Sequence, residues 1–221
     1  MRVVIFGASG MVGQGVLRER LLDPGTAAVL TIGRCPLGRT DPKLRGLVVP
    51  DVGHHSAAEE ELRGCDAAFW CLGAASAGMT EPEYRRVTYD LTLGAASTLA
   101  RLNPAMSFVY VSGAGTDSTE RGRSMWARVK GATEIALLRL PFRAVYLFRP
   151  GIIRPLHGIH SKTRSYRVGY LLLAPFLGLV RLVAPNSMTT TERVGRAMLH
   201  VAREGGPSRI VRTHDINALG T

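Results

Sequence analysis

The sequence has few cysteines and no apolar run long enough to span a bilayer. Cys35, Cys65 and Cys71 form an odd set without a CxxC pair, which argues against a disulfide framework and favours reduced, mostly buried thiols. The longest apolar run, residues 170–180, is too short for a transmembrane helix. Glycines at every third position interrupt the first apolar stretch, so a signal peptide is not expected. Together these absences predict a globular protein of the cytoplasm.

Lysine is scarce as well. The chain carries 28 basic and 17 acidic residues, a net charge of +11, so its surface should attract anions. Three of the basic residues are lysines, namely Lys43, Lys130 and Lys162. In a chain that prefers arginine this strongly, a lysine indicates a place for a compact, titratable ammonium, and we single out Lys130. The arginines are scattered and no nucleic-acid-binding motif is present, so a nucleic acid is not expected as a partner.

Strand and helix patterns alternate along most of the chain. With 221 residues, 46% of them apolar, the chain can form one domain with a sizeable core. Short apolar segments predict strands at 2–6, 28–32, 46–50, 67–73, 107–113, 144–150 and 209–212. Helical spacing, turns and caps predict helices up to about residue 22 and at 56–64, 81–102, 124–140 and 190–203. The alternation predicts an α/β fold, a doubly wound parallel sheet of six or seven strands in a single domain over 1–221.

Three glycines follow the first predicted strand. Gly7, Gly10 and Gly13 lie in GASGMVG, between that strand and the first helix. Glycine permits a tight turn, lets the backbone approach a diphosphate and lets helix and strand pack closely. The start of the helix then offers unpaired N–H groups and a partial positive charge to the phosphates. The spacing differs from the usual GxGxxG, but its position predicts a nucleotide-binding turn. The intervening residues expected in contact are Ser9, Met11 and Val12.

The end of the second predicted strand bears on the choice between NADP and NAD. An acidic residue there would hold a ribose 2′-hydroxyl, whereas a basic residue accommodates a 2′-phosphate. Arg34 occupies this place and Arg39 is nearby, which favours NADP over NAD; the alternative is a solvated arginine. Asp51 closes the third predicted strand and is predicted to reach an adenine amino group, with Val52 beside it, unless Asp51 only forms a turn.

Several motifs occur in the order found in short-chain dehydrogenases/reductases. They are GASGMVG (7–13), DV (51–52), CLGAA (71–75), VTYD (87–90), YVSGAG (110–115), the lysine of WARVKGATE (126–134) and FRPGII (148–153). As an ordered set they resemble the atypical branch that contains the Tat-interacting oxidoreductase-like proteins. The resemblance runs from residue 1 to about 155, and residues 156–221 match only loosely.

The resemblance implies an NAD(P)-binding Rossmann fold that holds NADP (NADPH) across the carboxyl edge of its sheet, with 151–188 as a lid on the substrate side. In this family a Ser–Tyr–Lys group moves a proton while the nicotinamide moves a hydride. Ser112 matches the serine. Lys130 matches the lysine, which holds the nicotinamide ribose and lowers the pKa of the tyrosine. The further cofactor contacts that the resemblance implies are Leu72, Gly73, Pro150 and Gly151.

Trp126 stands at the position of the family's tyrosine. A phenol beside an ammonium can exchange a proton near neutral pH, whereas an indole N–H does not titrate in that range. No lysine of the sequence has a tyrosine four residues before it. The candidates for another proton donor are Thr116, Tyr89, His157 and Tyr166. We therefore predict an oxidoreductase acting on a small carbonyl or alcohol by a modified proton route. The alternative is an NADP-sensing binding protein without turnover, and a sugar-nucleotide epimerase-like enzyme is a weaker third.

Two later segments give less specific signals. HGIH (157–160) brings two imidazoles close together in sequence, but no third ligand is evident and no metal is expected. Residues 169–185 are predicted as a lid or core helix, and the alternative is a peripheral membrane contact through an interfacial helix. The expected partner is a small-molecule substrate of unknown identity. The chain is expected as a monomer or as a homodimer, because classical relatives pair through the helices that correspond to 81–102 and 124–140.

Overall fold

Nine strands form two parallel sheets in the part of the chain that the structure describes. The structure is a computed structural model, and it describes residues 1–53, 58–159 and 187–221. The strands are β1 (Arg2–Phe6), β2 (Ala28–Gly33), β3 (Leu44–Val48), β4 (Ala67–Trp70), β5 (Ser107–Val111), β6 (Ala144–Arg149), β7 (Ile152–Arg154), β8 (Met188–Thr190) and β9 (Ile210–Arg212). Seven of them form one sheet in the order β3-β2-β1-β4-β5-β6-β9, and β7 pairs with β8. The neighbours run parallel, so the predicted doubly wound sheet is confirmed.

Seven α-helices accompany these strands within the described ranges. They are α1 (Met11–Leu22), α2 (Glu59–Leu62), α3 (Glu81–Arg85), α4 (Leu91–Leu102), α5 (Met125–Leu138), α6 (Thr191–Arg203) and α7 (Thr213–Leu219). A π-helical turn, Arg86–Asp90, joins α3 to α4. The predicted helix over 81–102 is therefore continuous but contains one wider turn. The serine predicted to cap α2, Ser56, lies outside the described residues.

The strand order reverses between β1 and β4. From β1 the chain moves outward through β2 to β3, then crosses back to β4 and continues outward through β5, β6 and β9. In open α/β sheets such a reversal opens a crevice at the carboxyl ends of the two central strands, and ligands bind there. Phe6 at the end of β1 pairs with Trp70 at the end of β4. The residues that follow, Gly7 and Cys71, therefore lie at this crevice.

Helices cover both faces of the sheet. In β1, Val3 and Ile5 pack on the side of α1 and α6, whereas Val4 and Phe6 pack on the side of α4 and α5. All four side chains are 0–1% exposed. A strand that is buried on both faces is apolar throughout, which explains why β1 shows a continuous apolar run rather than an alternating one.

Several strand boundaries differ from the prediction. β4, β5 and β6 end at Trp70, Val111 and Arg149 because pairing with their neighbours stops there, and the residues beyond form loops at the carboxyl edge. β3 covers Leu44–Val48 rather than 46–50, and as an edge strand it is largely exposed, so its apolar pattern is weak. The segment 151–188, predicted as a lid, contains β7 and ends at the first residue of β8. Residues 160–186 lie outside the described residues, so the lid stays a prediction.

Candidate functional site

The glycine turn after β1 brings two strands into direct backbone contact. Gly7 has a φ of +78°, a conformation that favours glycine. A Cβ at Gly7 would lie 2.8 Å from the Leu72 nitrogen and 2.9 Å from the Cys71 carbonyl carbon. A Cβ at Gly13 would lie 2.1 Å from the Gly7 carbonyl oxygen. Both positions therefore require glycine, because any side chain would push α1 or β4 away from the turn.

The first turn of α1 begins without a side-chain cap. The capping position is Gly10, and the first turn contains no acidic residue. The N–H groups of such a turn carry a partial positive charge that suits a diphosphate. Ser9 is exposed beside them, and its carbonyl oxygen accepts a hydrogen bond from Gln14 Nε2 at 3.1 Å. Met11 and Val12 are half-buried at the start of the helix. This backbone cradle suits the diphosphate of a dinucleotide, and the contacts predicted for Ser9, Met11 and Val12 stay predictions.

The two arginines after β2 occupy different surroundings. Arg34 is exposed directly after the strand. Arg39 lines a recess of about 340 Å³ whose wall also contains Ser9, Arg18 and His157. Among the described residues, no ion pair engages Arg39. Arg39 therefore lines the same recess as Ser9 of the glycine turn, a proximity that the sequence alone did not indicate.

Asp51 forms a turn of its own. Its Oδ1 accepts a hydrogen bond from the Gly53 N–H at 2.8 Å. The turn alternative stated for this residue is thus present, and contact with an adenine stays a prediction. Val52 is 5% exposed and packs with the core on the α4 side, whereas Gly73 is exposed in the loop after β4.

Ser112 and Thr116 share a hydrogen bond just after β5. Their hydroxyl oxygens lie 2.8 Å apart, and Thr116 Oγ1 also donates to the Gly113 carbonyl oxygen at 2.8 Å. Because a hydroxyl has one proton, Ser112 is then the donor to Thr116. Of the three candidate proton donors that the structure describes, Thr116, Tyr89 and His157, Thr116 is the one with a hydrogen bond to Ser112. Sequence spacing gave no reason to prefer it.

Lys130 reaches from α5 to the end of β5. Its Nζ donates long hydrogen bonds to the carbonyl oxygens of Val111 and Ser112, at 3.4 and 3.5 Å, and lies 5.3 Å from the centre of the Tyr110 ring. Burial lowers the pKa of Lys130 to about 8, and the nearby Glu134 carboxylate opposes this by raising it. Desolvation disfavours the charged ammonium, which explains the direction. Lys130 can therefore lose its proton closer to neutral pH than an exposed lysine.

Trp126 lies in the first turn of α5, one turn before Lys130. Its indole faces the loop after β5: a Cβ at Gly115 would lie 3.5 Å from Cη2, and a Cβ at Gly113 would lie 3.8 Å from Cζ3. This is the loop that begins with Ser112. The structure thus brings the three residues predicted as catalytic, Ser112, Trp126 and Lys130, around one loop at the carboxyl edge of the sheet.

The end of β6 is joined to the same loop. The Ala114 N–H donates to the Pro150 carbonyl oxygen at 2.9 Å. The Gly151 N–H donates to Thr213 Oγ1 at 2.9 Å, and a Cβ at Gly151 would lie 2.4 Å from the Ser187 carbonyl oxygen. Pro150 is buried and Gly151 is half-buried. Both lie at the predicted edge, but these backbone contacts are with the protein itself, and their cofactor role stays a prediction.

Sequence reasoning missed an ion pair whose carboxylate lies one helical turn after Lys130. Glu134 is 1% exposed and forms an ion pair with Arg149, whose Nε lies 3.0 Å from Oε1 and whose Nη2 binds Oε2. The signals were present, because Glu134 follows Lys130 by four residues and Arg149 belongs to the FRPG motif. Their pairing depends on how α5 packs against β6, which the sequence pattern does not state.

The other candidates for proton transfer have different neighbours. His157 has a φ of +57° and its Nε2 lies 2.6 Å from Glu192 Oε2. The guanidinium of Arg85 lies 4.1 Å from the centre of the Tyr89 ring. Tyr166, His160 and the segment 169–185 lie outside the described residues, so neither the second imidazole nor the membrane alternative is located.

Solved structures define the class of this fold. The enzyme WbmF of Bordetella bronchiseptica in complex with NAD+ superposes with a TM-score of 0.68 at 14% identity, covering 98% of this chain and 76% of that chain. A double mutant of DesIV, the dTDP-glucose 4,6-dehydratase of Streptomyces venezuelae, with NAD and DAU bound, gives 0.70 at 17% identity, covering 96% and 75%. At such low identity the likeness concerns the fold alone. The predicted Rossmann fold is confirmed.

Sequence relatives narrow the class. Protein HTATIP2 of Rattus norvegicus is 28% identical over 225 residues, which cover 93% of this chain and 91% of that protein. The mitochondrial protein FMP52 of Chaetomium globosum is 26% identical over 227 residues, covering 98% and 96%. No family model matches the sequence. The chain is therefore similar to HTATIP2 and FMP52 proteins over nearly all of its length, in agreement with the resemblance that its motifs predicted, and the similarity extends well beyond residue 155.

These relatives contradict the expected cytoplasmic location. The FMP52 proteins of Chaetomium globosum, Emericella nidulans and Saccharomyces cerevisiae are named as mitochondrial, and this finding overturns the expectation of a cytoplasmic protein. The expectation was wrong because an interrupted apolar start and unpaired cysteines do not separate the two compartments. Within the described ranges, no helix has the length and apolar character that crossing a membrane requires.

Proposed function

We propose that the protein is an NADP-dependent oxidoreductase that acts on a small carbonyl or alcohol without the usual catalytic tyrosine. The observation that carries this proposal is the placement of Ser112, Trp126 and Lys130 around one loop, at the sheet edge that also bears the glycine turn. A bound nicotinamide would supply the hydride. The first turn of α1 would hold the diphosphate, and Lys130 would hold the nicotinamide ribose as the family resemblance implies.

Ser112 would orient and polarise the substrate oxygen. Its hydroxyl lies 2.8 Å from Thr116 Oγ1, so rotation can redirect its proton from Thr116 to a substrate. Trp126 can donate a hydrogen bond but cannot take part in acid–base exchange near neutral pH. General acid–base help is worth a factor of about 10² to 10⁴, so turnover at this site requires another titratable group.

Two arginines support NADP over NAD. Arg34 directly follows β2, where a basic residue accommodates a 2′-phosphate. Arg39 lines the recess beside Ser9 of the glycine turn. A guanidinium can hold a phosphate with two parallel hydrogen bonds. Both residues are therefore proposed to select the phosphorylated cofactor.

Calorimetric titration with NADPH and NADH tests the cofactor. We expect NADPH to bind at least about tenfold more tightly, because a hydrogen bond to a charged group is worth about 1.5–3 kcal/mol. Arg34→Ala and Arg39→Ala should weaken NADPH binding and leave NADH nearly unchanged. Arg63→Ala serves as the control, since Arg63 pairs with Glu60 on α2. Tighter binding of NADH would contradict the choice of NADP, and no binding of either nucleotide would contradict the proposed function.

A second candidate is an NADP-binding regulatory protein without turnover, and Trp126 is the observation that favours it. Comparing the wild type with Trp126→Tyr on a panel of carbonyl substrates and NADPH separates the two. Turnover in the wild type supports the enzyme, whereas turnover that appears only with the tyrosine supports the binding protein. The matched control is Trp126→Phe, which removes the indole without supplying a phenol. An epimerase-like activity is the weaker third possibility, because it also depends on the family's tyrosine.

A further inference from the structure

Lys130 lies beside a buried carboxylate that is engaged elsewhere. Glu134 follows it by one turn on α5, the spacing at which a lysine and a carboxylate commonly pair. Both oxygens of Glu134 instead bind the guanidinium of Arg149 from the end of β6. Lys130 Nζ meets the carbonyl oxygens of Val111 and Ser112 at long range. The arrangement therefore separates an ammonium from the carboxylate that would otherwise hold its proton in place.

Arg149 is fixed from three directions. It lies at the end of β6, its Nη2 donates to Ser118 Oγ in the loop after β5, and its guanidinium binds Glu134 on α5. The Arg149 side chain is 14% exposed and that of Glu134 is 1% exposed. A buried carboxylate that loses its partner is strongly destabilised and would recruit another cation. Lys130 is the cation one turn away.

Among the described charged and titratable groups next to Lys130, those named below are less suited than Lys130 to exchange a proton near neutral pH. Tyr110 on β5 is buried, and burial raises its pKa well above the usual range. Glu134 and Arg149 hold each other as an ion pair. Trp126 does not titrate near neutral pH. Burial lowers the pKa of Lys130 to about 8, which is near the range in which general acids work best.

We propose that Arg149 is a positioning residue: by holding the Glu134 carboxylate it leaves the Lys130 ammonium without an ion pair among the described residues, and it makes Nζ the atom that carries the exchangeable proton of this site. The chemical part of this proposal rests on the proposed function. As the carbonyl carbon gains a hydride, its oxygen takes the π electron pair and then a proton from Nζ. The N–H electron pair stays on Lys130, and water returns a proton to it. The carbonyl would thereby become an alcohol, and a bound NADPH would be the reductant that supplies the hydride.

The scarcity of lysine makes a direct test simple. Protein labelled with [ε-13C]lysine should give signals from Lys43, Lys130 and Lys162, assigned with Lys43→Arg and Lys162→Arg. In the wild type we expect the Lys130 signal to titrate at about 8. Arg149→Met should raise this midpoint by about one pH unit or more, because the freed carboxylate becomes a partner of Nζ. Glu134→Gln should lower it, and the double variant should resemble Glu134→Gln.

The controls separate positioning from a general loss of structure. Arg149→Lys retains a cation for Glu134 and should restore most of the wild-type midpoint, and circular dichroism checks that each variant is folded. If Arg149→Met does not fold, Arg149→Gln, which removes the charge but keeps a polar side chain, replaces it, and an unchanged Lys130 midpoint in that variant would overturn the proposal. A wild-type midpoint near that of an exposed lysine, or the same midpoint in every variant, would overturn the proposal.

Calorimetry on the same samples keeps this inference distinct from the proposed function. If the midpoints shift as expected but NADPH does not bind, the positioning role of Arg149 stands and the oxidoreductase is rejected. If NADPH binds but the midpoints do not respond to Arg149 or Glu134, the positioning role is rejected and the cofactor site stands.

Discussion

The hydroxyl of Ser112 already donates a hydrogen bond to another side chain of the protein, that of Thr116. Thr116 Oγ1 donates a hydrogen bond to the Gly113 carbonyl oxygen and accepts one from the Ser112 hydroxyl, at 2.8 Å in both cases. These two hydrogen bonds orient the serine hydroxyl at the start of the loop that the indole of Trp126 faces. In the family the serine and the tyrosine share the work at the substrate oxygen. In this protein the serine has a second hydroxyl for a partner, so it must turn away from Thr116 to donate to a substrate.

The partly buried ammonium of Lys130 should make stability depend on pH. The pKa of Lys130 is lowered from 10.5 to about 8 in the folded protein, so between these values the folded state binds fewer protons than the unfolded chain. Stability from this group therefore rises with pH across that window. Lys130→Met should raise the unfolding free energy by about 1–2 kcal/mol at pH 7. This gain is smaller than the energy equivalent of the full pKa shift, because solvent screens a side chain that is only half-buried. The gain should shrink as the pH approaches 10.

Urea unfolding at a series of pH values measures this effect. Lys130→Arg is the matched control, since it keeps a charge at the site and should show no gain in stability at any pH. A Lys130→Met advantage that is constant across the series would mean that the ammonium is not desolvated in the folded protein.

The loop between β5 and α5 is held tightly against its own helix. The Asp117 N–H donates to the Ala127 carbonyl oxygen at 3.1 Å, and a Cβ at Gly131 would lie 1.8 Å from the Asp117 carbonyl oxygen. Gly131 is thus required for the loop to approach α5 next to Lys130. The same loop carries Ser112 at one end and contacts Arg149 through Ser118. A displacement of this loop would therefore move both Ser112 and the Ser118–Arg149 contact.

Gly131→Ala should displace this loop. Alanine favours a helix over glycine, but here the added methyl group overpacks the contact, and overpacking typically costs about 1–3 kcal/mol. We expect a lower urea midpoint together with weaker NADPH binding. Gly46→Ala on the edge strand β3 is the control, because its Cβ would meet Thr31 Oγ1 at an ordinary 3.6 Å. Equal or greater stability of Gly131→Ala would contradict the packing described for the loop.

The features that were predicted correctly are those whose sequence pattern lies within a few neighbouring residues. A glycine turn after an apolar strand and a lysine one helical turn after Trp126 can be read from neighbouring residues, and both lie where expected. The Glu134–Arg149 pair joins residues on different elements, so no local pattern reports it. β3 was misplaced by two residues because an exposed edge strand lacks the apolar run that marked the central strands.

At the scale of the whole molecule, the two ends of the described chain close the fold together. α6 packs along α1: a Cβ at Gly15 would lie 2.6 Å from the Thr191 carbonyl oxygen, and one at Gly195 would lie 2.7 Å from Glu19 Cγ. α1 carries the glycine turn at its start, so α6 supports that turn from behind. This explains physically why similarity to HTATIP2 covers 93% of the chain and does not stop near residue 155.

The small sheet of β7 and β8 joins two segments that are far apart in the sequence. The two strands run parallel with Ile152 opposite Met188, and the flanking chain is anchored by Leu156 N–H donating to Thr191 Oγ1 at 3.1 Å and by the His157–Glu192 pair. Both segments are therefore held to each other by strand pairing, a hydrogen bond and an ion pair. A substitution that weakens the pairing of β7 with β8 would release the end of one segment and the start of the other together.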